Sequence, residues 1–280
     1  RQAKLSEIAI RPADWAPDLN GFIASLAKDA QLGTFPRGFT EQPYWTLVGT
    51  DGGAHSGLID EDGAIEVGKG GFSIVPQVVA GSVAHDWADV TATQSLTDGY
   101  LPMPGVTWLG ADWHLETRLV ADETSPRLLA RWRLVNDARE RRTLKLVLGV
   151  RPFQVNPPAQ FLSQQGGISP ISVIDWQNGK LIVTTRSDGG DVVRTLLPLV
   201  MPNTVATAGF DEGALSYLAA LSGGPSVRDP HDLASAAMVW EASLEPGEAI
   251  DVPMAIPFEG NAAAIDRNAF DAAVAETEAA

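Results

Sequence analysis

Short segments in which apolar and polar residues alternate follow one another through most of this chain, and this alternation constrains the fold more than any other feature. In residues 127–137 one face carries Leu, Ala, Trp and Leu, while the other carries two arginines between Leu and Val. A period of two is typical of a strand with one buried and one solvated face. Similar segments rich in β-branched and aromatic residues are 44–51, 71–81, 112–122, 142–153, 181–185, 236–244 and 249–258.

Turn signals separate these segments at short intervals. The triplets DGG at 51–53, EDG at 61–63 and QNG at 177–179 are typical of β-hairpin turns. The turn Glu245–Glu248 predicts a further hairpin between segments 236–244 and 249–258. Many short strands joined in this way predict an all-β fold, an antiparallel β-supersandwich of two large packed sheets, with under about a quarter of the residues in helices.

Helical patterns are few. Residues 19–30 and 211–222 predict short helices. Residues 261–280 predict a terminal helix with Asn261 as the N-cap and Ile265, Phe270 and Val274 on one face. The chain begins without Met and ends inside this helix, so we expect it to be a piece of a longer protein.

Composition excludes several classes of partner. The 280 residues include 20 basic and 35 acidic side chains, a net charge of −15. Such a field repels phosphate backbones and anionic lipids, so neither nucleic acid nor a membrane is a predicted partner. The absence of cysteine removes disulfides, zinc–thiolate sites and thiol nucleophiles. It leaves the cellular compartment open, because a domain of this size needs no disulfide in an oxidising space.

The common catalytic motifs are absent. The chain has no phosphate-binding glycine loop, no HExxH and no GxSxG. Its four histidines, His55, His85, His114 and His231, are not spaced as metal ligands, and no metal or cofactor is predicted. His85 and Asp86 are neighbours and would suit acid–base chemistry, although a turn that closes a hairpin is the favoured explanation.

Aromatic side chains give a stronger signal. The chain has eight tryptophans. Trp87, Trp108 and Trp113 lie close together in sequence, with Tyr100 between them. Flat aromatic faces beside polar groups stack on sugar rings, but tryptophan is also a common core residue, so both interpretations stay open.

The segment GVRPFQVNPPAQFL, residues 149–162, combines a strand end with a polar loop. Its prolines cannot continue a sheet ladder. Its donors and acceptors suit hydrogen bonds to sugar hydroxyls or to an abutting domain, with Phe153 and Phe161 as inward anchors. A purely structural corner between two strands explains the segment equally. We expect the polar side chains to face outward or to brace the loop's own backbone; they are Arg151, Gln154, Asn156 and Gln160.

Several stretches resemble a family of large bacterial proteins labelled as discoidin or coagulation-factor-type domain proteins and related to glycoside hydrolases. The resemblance covers roughly residues 40–280 and is most specific through 142–162. It is carried by YWTLVGTDG, EDGAIEVGKGGFSIVP, WADVTATQSLTDGYLPMPGVTW, LLARWRLVND and LGVRPFQVNPPAQFL.

The resemblance implies that residues 1–260 form a galactose-mutarotase-like β-supersandwich and that 261–280 begin a linker helix. The helix would lead into an (α/α)6 toroid of six-hairpin type, which carries the catalytic carboxylates in such enzymes. No catalytic residue is therefore assigned to this chain. The leading hypothesis is a non-catalytic accessory domain that docks the toroid and lends part of a glycan cleft, with an oligo- or polysaccharide as ligand. An independent carbohydrate-binding module and an aldose-epimerase-like enzyme are the alternatives.

Overall fold

The structure is a computed structural model that describes residues 18–122, 125–158, 165–187, 189–215, 218–258 and 265–279. Strands account for 49% and helices for 15% of the residues, and two large antiparallel sheets pack face to face. The predicted all-β fold and its low helical content are confirmed. None of the helices in the described ranges is long and apolar enough to cross a membrane.

The first sheet has eight strands in the order β1-β2-β3-β4-β10-β16-β14, with β5 paired to β4. Its strands are β1 Trp45–Gly49, β2 Ser56–Asp60, β3 Ile65–Glu66, β4 Ser73–Ala80, β5 Val83–His85, β10 Arg142–Arg151, β14 Thr204–Ala208 and β16 Ser235–Leu244.

The second sheet has nine strands in the order β15-β11-β12-β13-β17-β9-β8-β7-β6. Its strands are β6 Thr91–Leu96, β7 Pro104–Leu109, β8 Trp113–Asp122, β9 Arg127–Asn136, β11 Ile171–Gln177, β12 Lys180–Ser187, β13 Gly190–Pro198, β15 Ser226–Arg228 and β17 Ala249–Pro257.

The alternation in 127–137 places its apolar face in the main core. Leu128, Ala130, Trp132 and Leu134 are fully buried between the two sheets. The predicted hairpin turns at 51–53, 61–63 and 177–179 each join two paired antiparallel strands. At the last of these, Asn178 and Gly179 both have positive φ, as the tight turn requires.

The expected hairpin around Glu245–Glu248 is wrong. β16 pairs with β10 and β14 of the first sheet, whereas β17 pairs with β9 and β13 of the second. The connection therefore crosses the core from one sheet to the other. Turn residues predict a chain reversal, but they do not say which partners the two strands take.

Two α-helices lie in the described ranges, α1 Leu19–Asp29 and α2 Ala269–Ala279. α1 was predicted, and its N-cap Asp18 accepts a hydrogen bond from the Gly21 amide. The helix predicted over 211–222 is wrong for the described residues there, which form 3₁₀ turns at Phe210–Glu212 and Leu218–Ala220. Gly213 has φ of 86°, which ends the first turn in a left-handed conformation.

α2 packs on the outer face of the nine-stranded sheet. Phe270 is buried there, and Ile265 and Val274 pack partly buried against the same cluster, as the sequence predicts. The sheet contributes Val120, Leu129, Leu197 and Ala255. Asn261, the predicted N-cap, lies outside the described residues.

The outer face of the eight-stranded sheet is covered by two segments of the chain. These segments, residues 31–39 together with 209–215 and 218–222, are here called the cover. Leu218 of the cover packs on Val147 and Ala237 of the sheet. α1 packs against the cover through a second cluster that contains Ile23, Phe35, Phe39, Phe153 and Leu215.

Candidate functional site

Arg151, at the end of β10, is buried under the cover. It is 4% exposed, and its Nη1 and Nη2 donate to the carbonyl oxygens of Thr34 at 2.6 Å and Leu215 at 3.0 Å. Its guanidinium lies 4.9 Å from the centre of the Phe153 ring. The expectation that Arg151 faces outward or braces its own loop is therefore wrong, since the side chain fixes both cover segments to the sheet.

Arg151 keeps its charge at neutral pH although it is buried. Burial lowers the pKa of Arg151 to about 10, while the Asp86 carboxylate acts in the opposite direction. Burial in turn raises the pKa of Asp86. Asp86, Gln77 and Arg151 line a small pocket of about 20 Å³ beneath the cover, which has room for about one water molecule.

The other polar side chains on the outer face either form hydrogen bonds with the cover or are buried. Gln77 Oε1 accepts a hydrogen bond from the Ala219 amide of the cover. Arg151 and its cross-strand neighbour Ser73 are each more than nine-tenths buried, as is Ser235 at the start of β16. Arg151 Nε, Ser73 Oγ and Ser235 Oγ have no hydrogen-bond partner among the described residues.

Glu66 holds the loop that follows β10. Its carboxylate accepts hydrogen bonds from the amides of Val155 at 2.9 Å, Asn156 at 3.1 Å and Gly70 at 2.9 Å. Burial raises the pKa of Glu66 to about 7, and these amides oppose the rise. Sequence reasoning missed this residue, although a lone carboxylate between Ile65 and Val67 in a strand pattern was a usable signal.

The polar residues of the loop brace it. Gln154 is half-buried, and its Nε2 donates to the Ile168 carbonyl at 2.8 Å. The Gln154 and Asn156 backbones pair with Gly167 on the returning strand of the loop. Phe153 is buried between Phe35 and Phe39, as expected of an anchor. Gln160 and Phe161 lie outside the described residues.

The three predicted tryptophans are core side chains rather than an exposed cluster. Trp108 and Trp113 are 2% and 3% exposed, and Trp87 is 9% exposed. Trp108 Nε1 donates to the Asp62 carbonyl and Trp87 Nε1 to the Phe35 carbonyl. Their faces are not open to a sugar ring. Tyr100 differs, because 74% of it is exposed.

His85 and Asp86 do not form an acid–base pair. The His85 ring packs against Trp113 at 5.4 Å, whereas Asp86 caps a 3₁₀ turn through the Ala88 amide. Within the described ranges, no group of three or more His, Asp and Glu side chains is arranged to hold a metal ion.

A groove of about 350 Å³ opens at one side of the sandwich, between the edges of the two sheets. β1 is the outermost strand of the first sheet, and β6 is the outermost strand of the second. Thr46, Ile59 and Asp60 line the wall on the first sheet; Gln94, Ser95, Leu96, Pro104, Gly105 and Val106 line the other wall.

Two exposed tyrosines lie near the lining residues in sequence, although neither lines the groove. Tyr44 precedes Trp45, the cross-strand partner of Asp60, and is 69% exposed. Tyr100 lies in the turn that joins the lining residues Leu96 and Pro104. The described lining itself combines polar residues with Ile59, Leu96, Pro104 and Val106 and contains no aromatic side chain.

Asp60 is the buried acid of this groove. Its Oδ1 accepts hydrogen bonds from the amides of Asp62 at 3.0 Å and Ala64 at 2.8 Å, and no described residue donates to its Oδ2. Burial and the neighbouring Asp62 carboxylate raise the pKa of Asp60 to about 8. Asp62 instead forms a two-point ion pair with Arg37, at 2.9 Å for each contact.

A larger groove of about 690 Å³ lies between the cover and strands β14 and β15. Its described lining is mainly Gly, Ser and Ala and contains no aromatic side chain. Its one carboxylate, Glu212, accepts a hydrogen bond from the Gly209 amide.

Comparisons with known proteins yield similarities in structure only. No protein-family model matches the chain, and no curated protein matches it. Among solved structures, a protein assigned as a kojibiose phosphorylase from the human microbiome is 9% identical to this chain, with a TM-score of 0.41. The match covers 85% of this chain and 28% of the phosphorylase chain. A bacterial glucoamylase complexed with acarbose is 13% identical with a TM-score of 0.48, covering 84% of this chain and 34% of its own.

A protein assigned as an aldose 1-epimerase from Escherichia coli K12 is 10% identical with a TM-score of 0.40, covering 77% of this chain and 99% of its own. This chain thus spans about a third of the length of the phosphorylase and of the glucoamylase. TM-scores below 0.5 do not carry the activity of any of these proteins over to this chain.

Proposed function

We propose that this chain is a non-catalytic accessory domain of a carbohydrate-processing enzyme of the glycoside hydrolase type. The observation that carries the proposal is the covered outer face of the eight-stranded sheet around Arg151. The polar residues Arg151 and Gln77 bind backbone atoms of the cover, and the space beside them, about 20 Å³, is too small for a sugar. The face is used to hold the domain together rather than to do chemistry.

The contacts of the candidate acid–base residues argue against an aldose-epimerase-like enzyme. Acid–base catalysis on a sugar needs a positioned base within hydrogen-bond reach of the substrate. In the described part of the chain, His85 packs on Trp113 and His114 is paired with Asp137 at 2.6 Å, while Glu66 is bound to three amides. None of these groups lines the groove at Asp60.

In this proposal, the partner is a C-terminal (α/α)6 toroid of the same polypeptide, as the family resemblance implies. Gln154 and Asn156 stand on a loop that Glu66 and the Phe153 anchor hold rigid, and a rigid loop suits a docking surface because little entropy is lost on binding. The loop would then meet the toroid, and the groove at Asp60 would extend its glycan cleft.

The experiment compares this chain alone with the full-length protein that contains it. We expect the full-length protein to cleave or phosphorolyse an oligosaccharide, whereas the 280-residue chain does neither and does not accelerate the mutarotation of glucose or galactose. Catalysis by the chain alone at the rate of the full-length protein would overturn the accessory role. Inactivity of both on a broad glycan panel would overturn the link to carbohydrate processing.

An independent carbohydrate-binding module is the second candidate, and the groove at Asp60 is the observation that favours it. Isothermal titration of the chain alone and of the full-length protein with the same oligosaccharides separates the two. Equal affinity in both favours a module, whereas binding that requires the full-length protein favours a cleft shared with the toroid.

A further inference from the structure

Both sheets end in an open edge strand on the same side of the sandwich. β1 is the outermost strand of the first sheet and β6 that of the second, and residues of both line the groove of about 350 Å³ between them. Among the described residues, β1 pairs only with β2 and β6 only with β7, so no strand covers the outer edge of either. Each edge therefore offers backbone N–H and C=O groups to a further strand.

The edge strands on the opposite side of the sandwich are protected. β15 has only three residues and ends at Arg228, and short or charged edges resist pairing with another chain. At β14, the Thr207 amide and hydroxyl both donate to the Gly224 carbonyl, so a loop covers that edge. β6, with six residues, and β1, with five, contain neither a charged residue nor a proline. These two strands therefore lack the usual protection of a sheet edge.

The distribution of charge favours contact between two copies at these strands. The chain has a net charge of −15, so most of its surface repels a second copy. Residues 42–50 and 90–97, which contain β1 and β6, have no charged side chain. They carry exposed apolar side chains instead: Tyr44 is 69% exposed, Leu47 63% and Leu96 38%. Two copies that meet here avoid like-charge repulsion at the paired strands and remove apolar surface from water.

A twofold axis satisfies both edges at once. An axis normal to two packed sheets places each edge strand antiparallel to its own copy, which is the isologous arrangement of a symmetric dimer. Thr91, Thr93 and Ser95 share one face of β6, and in this arrangement they meet the same residues of the copy in favourable cross-strand pairs. A single extended peptide pairs with only one of the two edges. A second copy is therefore the partner that fits both.

We propose that this protein forms a symmetric dimer in which β6 pairs antiparallel with β6 of a second copy, and β1 with β1, so that both sheets continue across the interface. The grooves of the two copies then face each other and join, and a glycan subsite at the groove is shared by both copies. The pairing itself requires neither a carbohydrate nor a toroid, so the proposal is independent of the proposed function and can fail or hold without it.

Sedimentation velocity of the full-length protein at concentrations up to about 500 µM tests the proposal. Thr93→Lys and Leu47→Lys each place a cation on one open edge, where it opposes the same cation of the copy. Ser226→Lys is the control for Thr93→Lys, because Ser226 is exposed on β15, the protected edge of the same sheet. Val193→Lys is the control for Leu47→Lys, because Val193 is 53% exposed on the interior strand β13. All four positions are exposed, and thermal unfolding checks that each variant folds.

The expected result is a dimer with a dissociation constant below about 100 µM, weakened about tenfold or more by each edge variant and unchanged in both controls. A protein that stays monomeric over the whole concentration range would overturn the proposal, and so would a dimer that either edge variant leaves unchanged. A crystal structure in which a strand of the parent polypeptide from outside residues 1–280 pairs with β6 would overturn it as well, because that strand occupies the edge that the second copy requires.

Discussion

At the scale of single residues, Arg151 shows how a polar loop residue becomes a structural centre. The sequence singles it out because it stands at the end of a strand beside a proline. Its two acceptors, however, are backbone carbonyls that lie 117 and 64 residues away along the chain. No local pattern reveals such partners. The sequence therefore singles out Arg151 but predicts the wrong direction for its side chain.

Replacing Arg151 by Met is expected to destabilise the protein by about 3 kcal/mol or more, because the carbonyls of Thr34 and Leu215 lose a buried charged donor and Asp86 loses its counter-charge. Urea unfolding monitored by tryptophan fluorescence measures the change. The control Gln154→Ala removes one half-buried hydrogen bond and should cost about 1 kcal/mol. Equal effects of the two variants would contradict the assigned role of Arg151.

Asp60 makes the stability depend on pH in a defined direction. Its pKa is about 8 in the folded protein against an ordinary value of 3.8. The folded state therefore keeps a proton that the unfolded chain loses, and the free energy of unfolding falls as pH rises from about 4 to about 8. In Asp60→Asn this fall should shrink by an amount on the order of a few kcal/mol.

Urea unfolding at pH 5 and pH 8 tests this expectation. Glu66, with a pKa raised to about 7, adds a fall of the same sign, so Glu66→Gln is the matched comparison and the double variant should show the least pH dependence. A pH dependence in Asp60→Asn as steep as in the unmodified protein would show that Asp60 is ionised in the folded state.

At the scale of secondary-structure elements, strands were predicted well and their partners less well. Period-two alternation is a local property, and it located β1, β4, β8, β9, β10, β12, β16 and β17 within one or two residues. Pairing is a property of the whole chain, so the turn at Glu245–Glu248 did not reveal that its two strands belong to different sheets. The helix expected over 211–222 does not form in the described residues, because Gly213 ends the first turn and Leu218 packs against the sheet.

Gly149 in β10 permits the close approach of the cover. A Cβ added at this position would lie 2.1 Å from Leu218 Cδ1 and 2.9 Å from its Cγ. Gly149→Ala should therefore displace Leu218 and destabilise the protein by about 1–3 kcal/mol. The double variant Gly149→Ala with Leu218→Ala should be less destabilised than the sum of the two single variants, as a double-mutant cycle of chemical denaturation would measure. Additive effects would mean that the two residues do not compete for space.

At the scale of the whole molecule, the chain forms four layers: the cover, the eight-stranded sheet, the nine-stranded sheet and α2. The sequence predicted the two sheets because their alternation is strong. It did not predict the cover or the edge groove, since both arise from residues that are distant in sequence and individually ordinary, such as Thr46 and Gln94. Tyr100 was noticed, but as a member of a tryptophan cluster that lies in the core.

α2 should unfold together with the sandwich. Phe270 is 4% exposed and packs among Met103, Leu129 and Leu197 of the β-domain. Phe270→Ala should cost about 3 kcal/mol, while Glu276→Ala on the exposed side of the helix should cost less than about 0.5 kcal/mol. Thermal unfolding and hydrogen exchange of the α2 amides provide the measurement. A change below 0.5 kcal/mol in Phe270→Ala would mark α2 as a loosely attached linker.

The crossing from β16 to β17 has a consequence for synthesis on the ribosome. Each of these late strands occupies an interior position in its sheet: β16 lies between β10 and β14, and β17 between β13 and β9. Until residues 235–257 emerge, β10 and β9 each keep an open edge, β14 lacks its partner strand β16, and β11–β13 are not joined to β9. Completion of both sheets is therefore expected to be post-translational and slow, because these closing contacts are far apart in sequence. The nascent chain would carry the two open strand edges until the end of its synthesis, which makes it a natural client for chaperones.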